Sequence, residues 1–350
     1  MIDILSLTRD ELESIVIGFG WERYRVDQIF GFLYKQRIDS FDEITTLKKE
    51  MRNQLKEFFY IYPVEVKVKK VSGDGTIKYI FKLIDNSFIE SVLIPMTRGR
   101  FTICVSTQVG CRMGCRFCAT GRMGFKRNLT ASEIVAQVRF ILKDNNLKTA
   151  NVVYMGMGEP LDNYSNTTKS IKILMDEMGL SISKRRITLS TCGIVKGIER
   201  LKKDLPYINM ALSLHSVDNE KRSLIMPINK AYPVEKVLNS LADFPLPRRK
   251  RITFEYVMIK GLNDTHKDAK ALVKLSGRFR CKINIIPLNK HDLIGTDFEP
   301  SQEETIEEFA SYLRKKGVFV TVRQSKGSEI NAACGMLATD ILKTSNIDVG

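Results

Sequence analysis

The sequence predicts an α/β protein in which a parallel β/α core follows a small helical domain and a short β meander. Residues 1–60 carry apolar side chains at helical spacing, and residues 61–96 contain three short β-type runs separated by the turn signals SGDG and DN. From about residue 100, strand patterns alternate with helical ones, which is typical of parallel sheets. We therefore predict a helical accessory domain over 1–60, a β linker region over 61–96 and a core over 97–340.

Capping signals mark the start of several predicted helices. In a capping box, a Ser or Thr and a Glu three residues later satisfy the free N–H groups of the first helical turn. Four pairs have this spacing: Thr8 with Glu11, Ser40 with Glu43 before LKKEMRNQLKEFF, Thr130 with Glu133, and Ser301 with Glu304 in a helix predicted to end at Gly317.

Six strand candidates make up the predicted core, each followed by a helical stretch. They are FTICVST (101–107), NVVYM (151–155), RITLS (186–190), INMALSL (208–214), RITFEYVMI (251–259) and KINIIPL (282–288). This alternation is compatible with a partial barrel or with a doubly wound sheet. In both folds, functional sites lie at the C-terminal ends of the strands. A further strand, VFVTVRQS, precedes a C-terminal segment that contains Cys334.

The chain of 350 residues is strongly basic, with a formal net charge of +15. This charge favours a polyanionic partner, although a merely soluble basic surface is an equal alternative from charge alone. The basic residues are clumped around the cysteines, over Lys184–Arg186 and over Arg248–Arg251. No apolar run approaches the roughly 20 residues of a membrane span, and the N-terminus lacks a secretory signal. We expect a cytoplasmic protein with no membrane partner.

Three of the seven cysteines are crowded into CRMGCRFC, directly after the first core strand. Thiolates suit iron–sulfur clusters or zinc. Cys111, Cys115 and Cys118 can hold three irons of a cubane, which leaves the fourth iron open to a ligand. Zinc with a distant fourth ligand is the alternative, although no second cysteine pair is present.

The spacing C-x-x-x-C-x-x-C, with the aromatic Phe117 before the last cysteine, resembles the signature of radical S-adenosylmethionine (SAM) enzymes. The resemblance implies a partial (β/α)6 barrel and one 4Fe–4S cluster on Cys111, Cys115 and Cys118. It also implies that the open iron binds SAM, whose cleavage yields a 5′-deoxyadenosyl radical.

Further residues at strand ends match SAM-binding positions of these enzymes. The turn GMGEP (156–160) resembles their G-G-E-P motif, which implicates Gly158 and Glu159. A lone serine or asparagine at a strand end is usually a cap or turn residue. The resemblance nevertheless implies a SAM-binding role for residues on the same predicted rim, namely Ser190, Ser213, Leu214, His215 and Asn289.

Longer motifs resemble the RlmN/Cfr family of RNA methyltransferases over nearly the whole chain. They are CVSTQVGCRMGCRFCATGRMGFKRNLTASEIVAQV, MGMGEPLDNY, LSLHSVDNEKRSLIMPINKAYP, RITFEYVMIKGLND and NAACG. MPINKAYP and RITFEYVMIKGLND favour the RlmN type. The resemblance implies methylation of adenine C2 in 23S rRNA and tRNA, with the N-terminal domain as a candidate RNA surface. The alternatives are C8 methylation of the same rRNA adenosine and, in a different class, a non-catalytic iron–sulfur RNA-binding protein or redox sensor.

Three more residues acquire roles from this resemblance alone. It implies that one SAM methylates Cys334, that a second SAM gives the radical that activates the S-methyl group, and that a covalent RNA adduct forms. Glu90 then removes the C2 proton, and Cys104 releases the RNA through a transient disulfide with Cys334. Flavodoxin or ferredoxin is the implied electron donor. Without the resemblance, Glu90 is a solvated strand carboxylate, and an isolated cysteine is a small buried hydrophobe, as we expect for Cys192 and Cys281.

Overall fold

The computed structural model describes residues 1–338, and their N-terminal part is mainly helical. Its elements are β1 (Ile2–Asp3), α1 (Arg9–Gly18), α2 (Tyr24–Phe30) with a π-helical turn over Gly31–Gln36, α3 (Lys49–Phe58) and β2 (Phe59–Tyr60). β1 and β2 pair in parallel, which joins the start of this segment to its end.

The capping predictions for this segment are half correct. Thr8 and Glu11 form the predicted box at the start of α1. Ser40 and Glu43 also form a box, but it caps a 3-10 turn over Phe41–Glu43. α3 begins after Lys48 without a side-chain cap, so the prediction that this box starts the LKKEMRNQLKEFF helix was wrong. Residues 44–48 lie between this 3-10 turn and the first residue of α3, so the box and the helix are separate.

The linker region forms an antiparallel meander of β3 (Glu65–Val71), β4 (Ile77–Lys82) and β5 (Phe88–Met96). β5 also pairs antiparallel with β6 (Arg100–Cys104), the first strand of the core. The meander is therefore hydrogen-bonded directly into the core sheet, and it places β4 and β5 beside the first core strand.

Strands and helices alternate through the rest of the described chain. They are β7 (Gln108–Gly110), α4 (Ala119–Arg122), β8 (Phe125–Asn128), α5 (Ala131–Asp144), β9 (Asn151–Tyr154), α6 (Tyr164–Met175), β10 (Ile187–Thr191), α7 (Val195–Asp204), β11 (Asn209–Ser213), α8 (Asn219–Ile225), α9 (Val234–Leu241), β12 (Ile252–Met258), α10 (His266–Ser276), β13 (Cys281–Pro287), α11 (Glu303–Lys315) and β14 (Val320–Val322).

The strand order decides between the two predicted architectures. One sheet runs β14-β13-β12-β11-β10-β9-β6-β5-β4-β3, and every pair from β6 to β14 is parallel. A doubly wound sheet reverses its strand order at a switch point, whereas these core strands follow one another in sequence. The six predicted core strands therefore form the predicted partial (β/α)6 barrel.

Two further capping predictions have different outcomes. Thr130 and Glu133 form the predicted box at the start of α5. Before α11 the N-cap residue is Gln302, and the Ser301 hydroxyl instead donates to Asp264 at 2.8 Å. The prediction of a Ser301 capping box was therefore wrong, because this hydroxyl finds a tertiary partner.

Two charged contacts, one through a buried arginine and one through a half-buried arginine, join the helical N-terminal segment to the core. Arg139 of α5 is only 3% exposed, and its guanidinium donates to the Leu33 carbonyl at 2.9 Å and to Asp39 at 3.0 Å. Arg9 of α1 forms an ion pair with Asp176 at 3.1 Å. Among the described residues, no helix is long and apolar enough to cross a membrane.

Candidate active site

The C-terminal ends of the core strands surround one cavity. It holds about 980 Å³ of empty space measured out to its mouth, which is the size of a typical ligand site. Parallel strands bring distant parts of the sequence to this edge. Ten of the predicted site residues line the cavity: Cys111, Cys115, Cys118, Gly158, Glu159, Ser190, Ser213, His215, Asn289 and Cys334.

A small hairpin of β7 and β8 holds the cysteine loop at the cavity wall. The Cys111 amide donates to the Gly124 carbonyl at 2.7 Å, which closes the base of the loop. Gly110 has a φ of 71°, and a Cβ there would lie 1.9 Å from the Gly124 oxygen, so this closure requires glycine. The Ala119 amide donates to the Gly335 carbonyl at 2.7 Å, which ties the loop to the C-terminal segment.

The three thiols lie in apolar surroundings that include Met113 and Phe117. Burial raises the pKa of Cys111 to about 12 and raises that of Cys115 well above its usual value. Buried thiolates therefore need positive charge beside them, which iron supplies. Within residues 1–338, no three His, Cys, Asp or Glu side chains converge as a single metal ion requires. A cubane, in which each thiolate binds its own iron, needs no such point, so the donor set fits a 4Fe–4S cluster.

The GMGEP turn follows β9 and contacts the loop after β10. Gly158 has a φ of 99°, and a Cβ there would lie 2.5 Å from Gln108 Cβ. Glu159 Oε1 accepts a hydrogen bond from the Leu161 amide at 3.0 Å, and Oε2 accepts one from the Cys192 amide at 2.8 Å. Burial raises the pKa of Glu159. This carboxylate therefore joins the loops after β9 and β10 while it lines the cavity.

His215 follows β11 in the left-handed region, with a φ of 56°. Its Nδ1 accepts a hydrogen bond from the Val257 amide at 3.0 Å, so the neutral ring carries its hydrogen on Nε2. Burial, together with the charge of Arg222, lowers the pKa of His215 to about 3. The ring packs edge-on against Phe117, with 4.6 Å between centroids. His215 is therefore a neutral donor beside the cysteine loop.

The remaining predicted rim residues occupy different environments. Ser190 lies in β10 and Ser213 ends β11, and both line the cavity. Asn289 Nδ2 donates to the Cys334 carbonyl at 3.0 Å, so this side chain holds the C-terminal loop. Leu214 is fully buried and is not among the lining residues; its amide donates to the Glu255 carbonyl at 3.0 Å.

Cys334 lies between two cavities, because it also lines a second space of about 1400 Å³ inside the barrel. Cys104 is 6% exposed, in β6, outside the residues that line either cavity. Burial, followed by the charge of Cys334, raises the pKa of Cys104 to about 12. All seven cysteines are free thiols.

Three charged residues of this region were missed by the sequence reasoning. Arg323 lines both cavities, and the charge of Cys334 is the main cause of its raised pKa. Glu255 lines the same two cavities. Arg222 is fully buried and donates to the carbonyls of Cys192 and Leu214 at 2.6 and 3.0 Å. The one sequence feature that could have identified any of them is Glu255, a charged residue inside the otherwise apolar run RITFEYVMI.

Glu90 lies away from the cavity lining but inside the protein. It is fully buried in β5 and forms an ion pair with Lys78, with 3.4 Å between Oε1 and Nζ. The Ser106 hydroxyl donates to the Glu90 carbonyl at 2.6 Å. The alternative that holds without the family resemblance, a solvated strand carboxylate, is therefore wrong, because Glu90 is fully buried on a strand that lies between β4 and β6 in the sheet.

Two family models match the chain in separate segments. The Radical SAM superfamily model matches residues 105–273, and the ribosomal RNA large subunit methyltransferase N-terminal domain model matches residues 2–61. Among solved structures, a radical SAM methyltransferase from Sphaerobacter thermophilus is similar, with a TM-score of 0.88 and 39% identity. The alignment covers 96% of this chain and 99% of that one.

Curated relatives are similar over almost their full lengths. The dual-specificity RNA methyltransferase RlmN of Campylobacter fetus is 44% identical over 96% of this chain and 98% of its own. That of Geobacter sulfurreducens is 46% identical over 99% of this chain and 95% of its own. The family resemblance predicted from the motifs is therefore confirmed, and the chain belongs to the RlmN family of radical SAM RNA methyltransferases.

Proposed function

We propose that this enzyme methylates C2 of adenine in 23S rRNA and in tRNA, in the cytoplasm where both RNAs are found. One observation carries the proposal: Cys334 lines the same cavity as Cys111, Cys115 and Cys118. An iron–sulfur sensor has no use for a fourth, loop-borne thiol at that place. Adenine C2 is an electrophilic carbon and cannot attack a methyl sulfonium. Direct methyl transfer from SAM is therefore not possible at C2, whereas a carbon radical carried on a thiol can add there.

The residues of the cavity divide between two cofactors. We assign Cys111, Cys115 and Cys118 to one 4Fe–4S cluster. When bound, the cluster and SAM supply a 5′-deoxyadenosyl radical, and a second SAM per methylation supplies the methyl group. We assign SAM binding to the strand-end residues Gly158, Glu159, Ser190, Ser213, Leu214, His215 and Asn289. Flavodoxin or ferredoxin is the proposed electron donor.

Three side chains act on the RNA in this proposal. The Cys334 sulfur accepts the methyl group. The S-methyl group then loses one hydrogen atom to the 5′-deoxyadenosyl radical, and Cys334 presents the resulting carbon radical to C2. The carbon radical adds to C2, the one unpaired electron left on the adduct would pass to the oxidised cluster, and Glu90 takes the C2 proton. The Cys104 thiolate then attacks the Cys334 sulfur, so that an S–S bond forms and the bond between sulfur and the transferred carbon breaks. That carbon keeps the electron pair and takes up a proton from solvent to become the methyl group, and the methylated RNA leaves. An external reductant returns the disulfide to two thiols.

We propose a division of labour along the chain. Residues 1–60 form an accessory domain that binds RNA, 61–96 form the β linker region, and 97–340 form the radical SAM core with its Cys334 loop. The match of a methyltransferase N-terminal domain model to residues 2–61 supports the first boundary. Residues 339 and 340 of the proposed core lie outside the described residues.

Mass spectrometry of the product nucleoside tests the proposal. The protein is reconstituted anaerobically with iron and sulfide, reduced, and given SAM with 23S rRNA fragments or tRNA. We expect 2-methyladenosine, together with 5′-deoxyadenosine. A product of 8-methyladenosine would support C8 specificity instead, and the absence of any methyladenosine would contradict the enzyme proposal. Cys334→Ala is the control, since it lacks the carrier sulfur.

A further inference from the structure

Two basic clusters that are distant in the sequence meet in one concavity. It holds about 720 Å³ of empty space and is lined by four residues only: Arg185, Arg248, Arg249 and Lys250. All four are exposed, and no acidic residue lines the space. The concavity is therefore a continuous positive surface, which neither sequence cluster forms alone.

The loops that carry these residues are tied together by hydrogen bonds. Arg185 lies in a 3-10 turn directly before β10, and its carbonyl accepts a hydrogen bond from Asn209 Nδ2 of β11 at 2.9 Å. The Tyr207 amide, just before β11, donates to the Pro245 carbonyl at 3.0 Å, in the loop that precedes β12. Three successive loops at one end of the barrel are thus joined. These hydrogen bonds fix the backbone positions from which the four basic side chains project.

The turn before β12 holds like charges close together. The Lys250 amide donates to the Pro247 carbonyl at 2.9 Å, and Arg249 has a φ of 67°, in the left-handed region that costs an arginine free energy. Three consecutive basic side chains therefore project from one constrained turn. Their mutual repulsion is relieved by a bound anion.

Neighbouring basic residues are engaged in other contacts, in contrast to these four. Arg186 donates to the Thr149 hydroxyl at 3.1 Å, and the Arg251 guanidinium lies 3.9 Å from the centre of the Phe319 ring. Within residues 1–338, the four lining side chains take part in no ion pair. Their charges remain available to a partner.

The concavity and the candidate active site lie at opposite ends of the barrel. The four residues precede β10 and β12, whereas the active-site cavity is at the C-terminal ends of the same strands. β10 has five residues, which corresponds to about 16 Å at roughly 3.3 Å per residue. An RNA with its target base in the active site must extend past this length to reach the concavity. The path runs around the outside of the barrel from one end to the other, so the phosphates that reach the concavity belong to nucleotides outside the active-site cavity.

We propose that this concavity binds phosphodiester groups of a folded RNA substrate at a distance from the target nucleotide. The inference rests on the proposed function, since it takes the RNA of that reaction as the ligand. Phosphate contacts supply affinity and orientation without reading sequence. The concavity thus favours large structured RNAs over short ones that carry the same target adenosine.

Binding measurements at several salt concentrations test the proposal. The reconstituted enzyme with Arg248→Glu and Lys250→Glu is compared with the parent, using a complete tRNA and a short stem-loop with the same target adenosine. We expect affinity for the tRNA to fall at least about tenfold, and the slope of log K against log salt to shrink by about two. Affinity for the stem-loop and methylation of it stay at the parent level.

The control variant carries Lys267→Glu and Lys270→Glu, two exposed residues of α10 with the same change in net charge. Equal losses in both variants, or an unchanged tRNA slope, would overturn the proposal. If the parent makes no methyladenosine from either RNA, the proposed function is contradicted. The binding comparison still tests, independently of activity, whether the concavity binds RNA.

Discussion

Lys78 Nζ lies 3.4 Å from Glu90 Oε1, and both side chains are completely buried. β4 and β5 are adjacent antiparallel strands in which Lys78 pairs with Val92 and Glu90 with Ile80, so the two residues are diagonal neighbours. Lys78 Nζ also donates to the Asn331 carbonyl at 3.3 Å, in the loop that carries Cys334. The proposed base is thus held by a cation that contacts the proposed methyl-carrying loop.

Replacing Glu90 by Gln should stop the reaction at the covalent adduct. A glutamine cannot take the C2 proton, and loss of a general base typically costs about 100-fold or more in rate. We expect methyladenosine to fall by that factor, while enzyme-linked RNA accumulates on denaturing gels. Lys70→Met, an exposed lysine of β3, is the control and should methylate normally. Full methylation by the Glu90 variant without an adduct would contradict its role as the base.

The energetic link between Lys78 and Glu90 is measurable by a double-mutant cycle. Lys78→Met and Glu90→Gln each break a buried ion pair, which is costly when one partner remains. The double variant should lose less free energy of unfolding than the sum of the losses in the two single variants. We expect the difference, which is the coupling energy, to be about 1–3 kcal/mol. Chemical denaturation gives these values. A coupling near zero would show that the pair does not act as a unit.

Replacing Cys104 by Ala should also trap the RNA, but after proton removal. Without this thiol the Cys334 sulfur has no attacker, so the adduct persists and product is lost. Cys281→Ala is the matched control, because Cys281 is equally well buried at the start of β13. The control should release RNA at the parent rate. Normal turnover by the Cys104 variant would exclude it as the resolving thiol.

Release of RNA should accelerate with pH. Burial is the main cause of the raised pKa of Cys104, and it persists when Cys334 is an uncharged thioether in the adduct, so the reactive thiolate is a small fraction at neutral pH. Below that pKa, each pH unit increases the thiolate about tenfold, so single-turnover decay of the adduct should rise about tenfold per unit. The charge of Arg323 lowers the pKa of Cys104, so Arg323→Met should slow the decay at every pH. Adduct decay that does not change with pH would contradict this.

Alanine substitutions at two glycines with positive φ should distinguish the cost of backbone strain from the cost of a steric clash. Gly158 and Gly261 have φ of 99° and 70°, but only at Gly158 does an added Cβ meet other atoms, 2.5 Å from Gln108 Cβ. Gly261→Ala should cost about 1–2 kcal/mol in the free energy of unfolding. Gly158→Ala should cost at least about 1 kcal/mol more and should weaken SAM binding, measured by equilibrium dialysis. Equal effects would show that the GMGEP turn relaxes around the new methyl group.

Much of the fold was predictable because its signals are local. The alternation of strand and helix patterns gave six core strands close to their observed bounds, and the capping box of Thr130 with Glu133 marked the start of α5. The box of Ser301 with Glu304 did not form, since the Ser301 hydroxyl bonds to Asp264 instead. A local pattern predicts a structure only until a tertiary partner competes for the same group.

The sequence by itself determined the chemistry: three crowded cysteines, one more before them and one near the C-terminus. The tertiary structure decided what surrounds those thiols. The buried pairing of Lys78 with Glu90 and the place of Arg323 between two cavities depend on strand register and on the curvature of the sheet. The same is true of the basic concavity, whose two clusters meet only because β10, β11 and β12 are neighbours. Spacing along the chain records which side chains are present, whereas their electrostatic partners are set by contacts between distant segments.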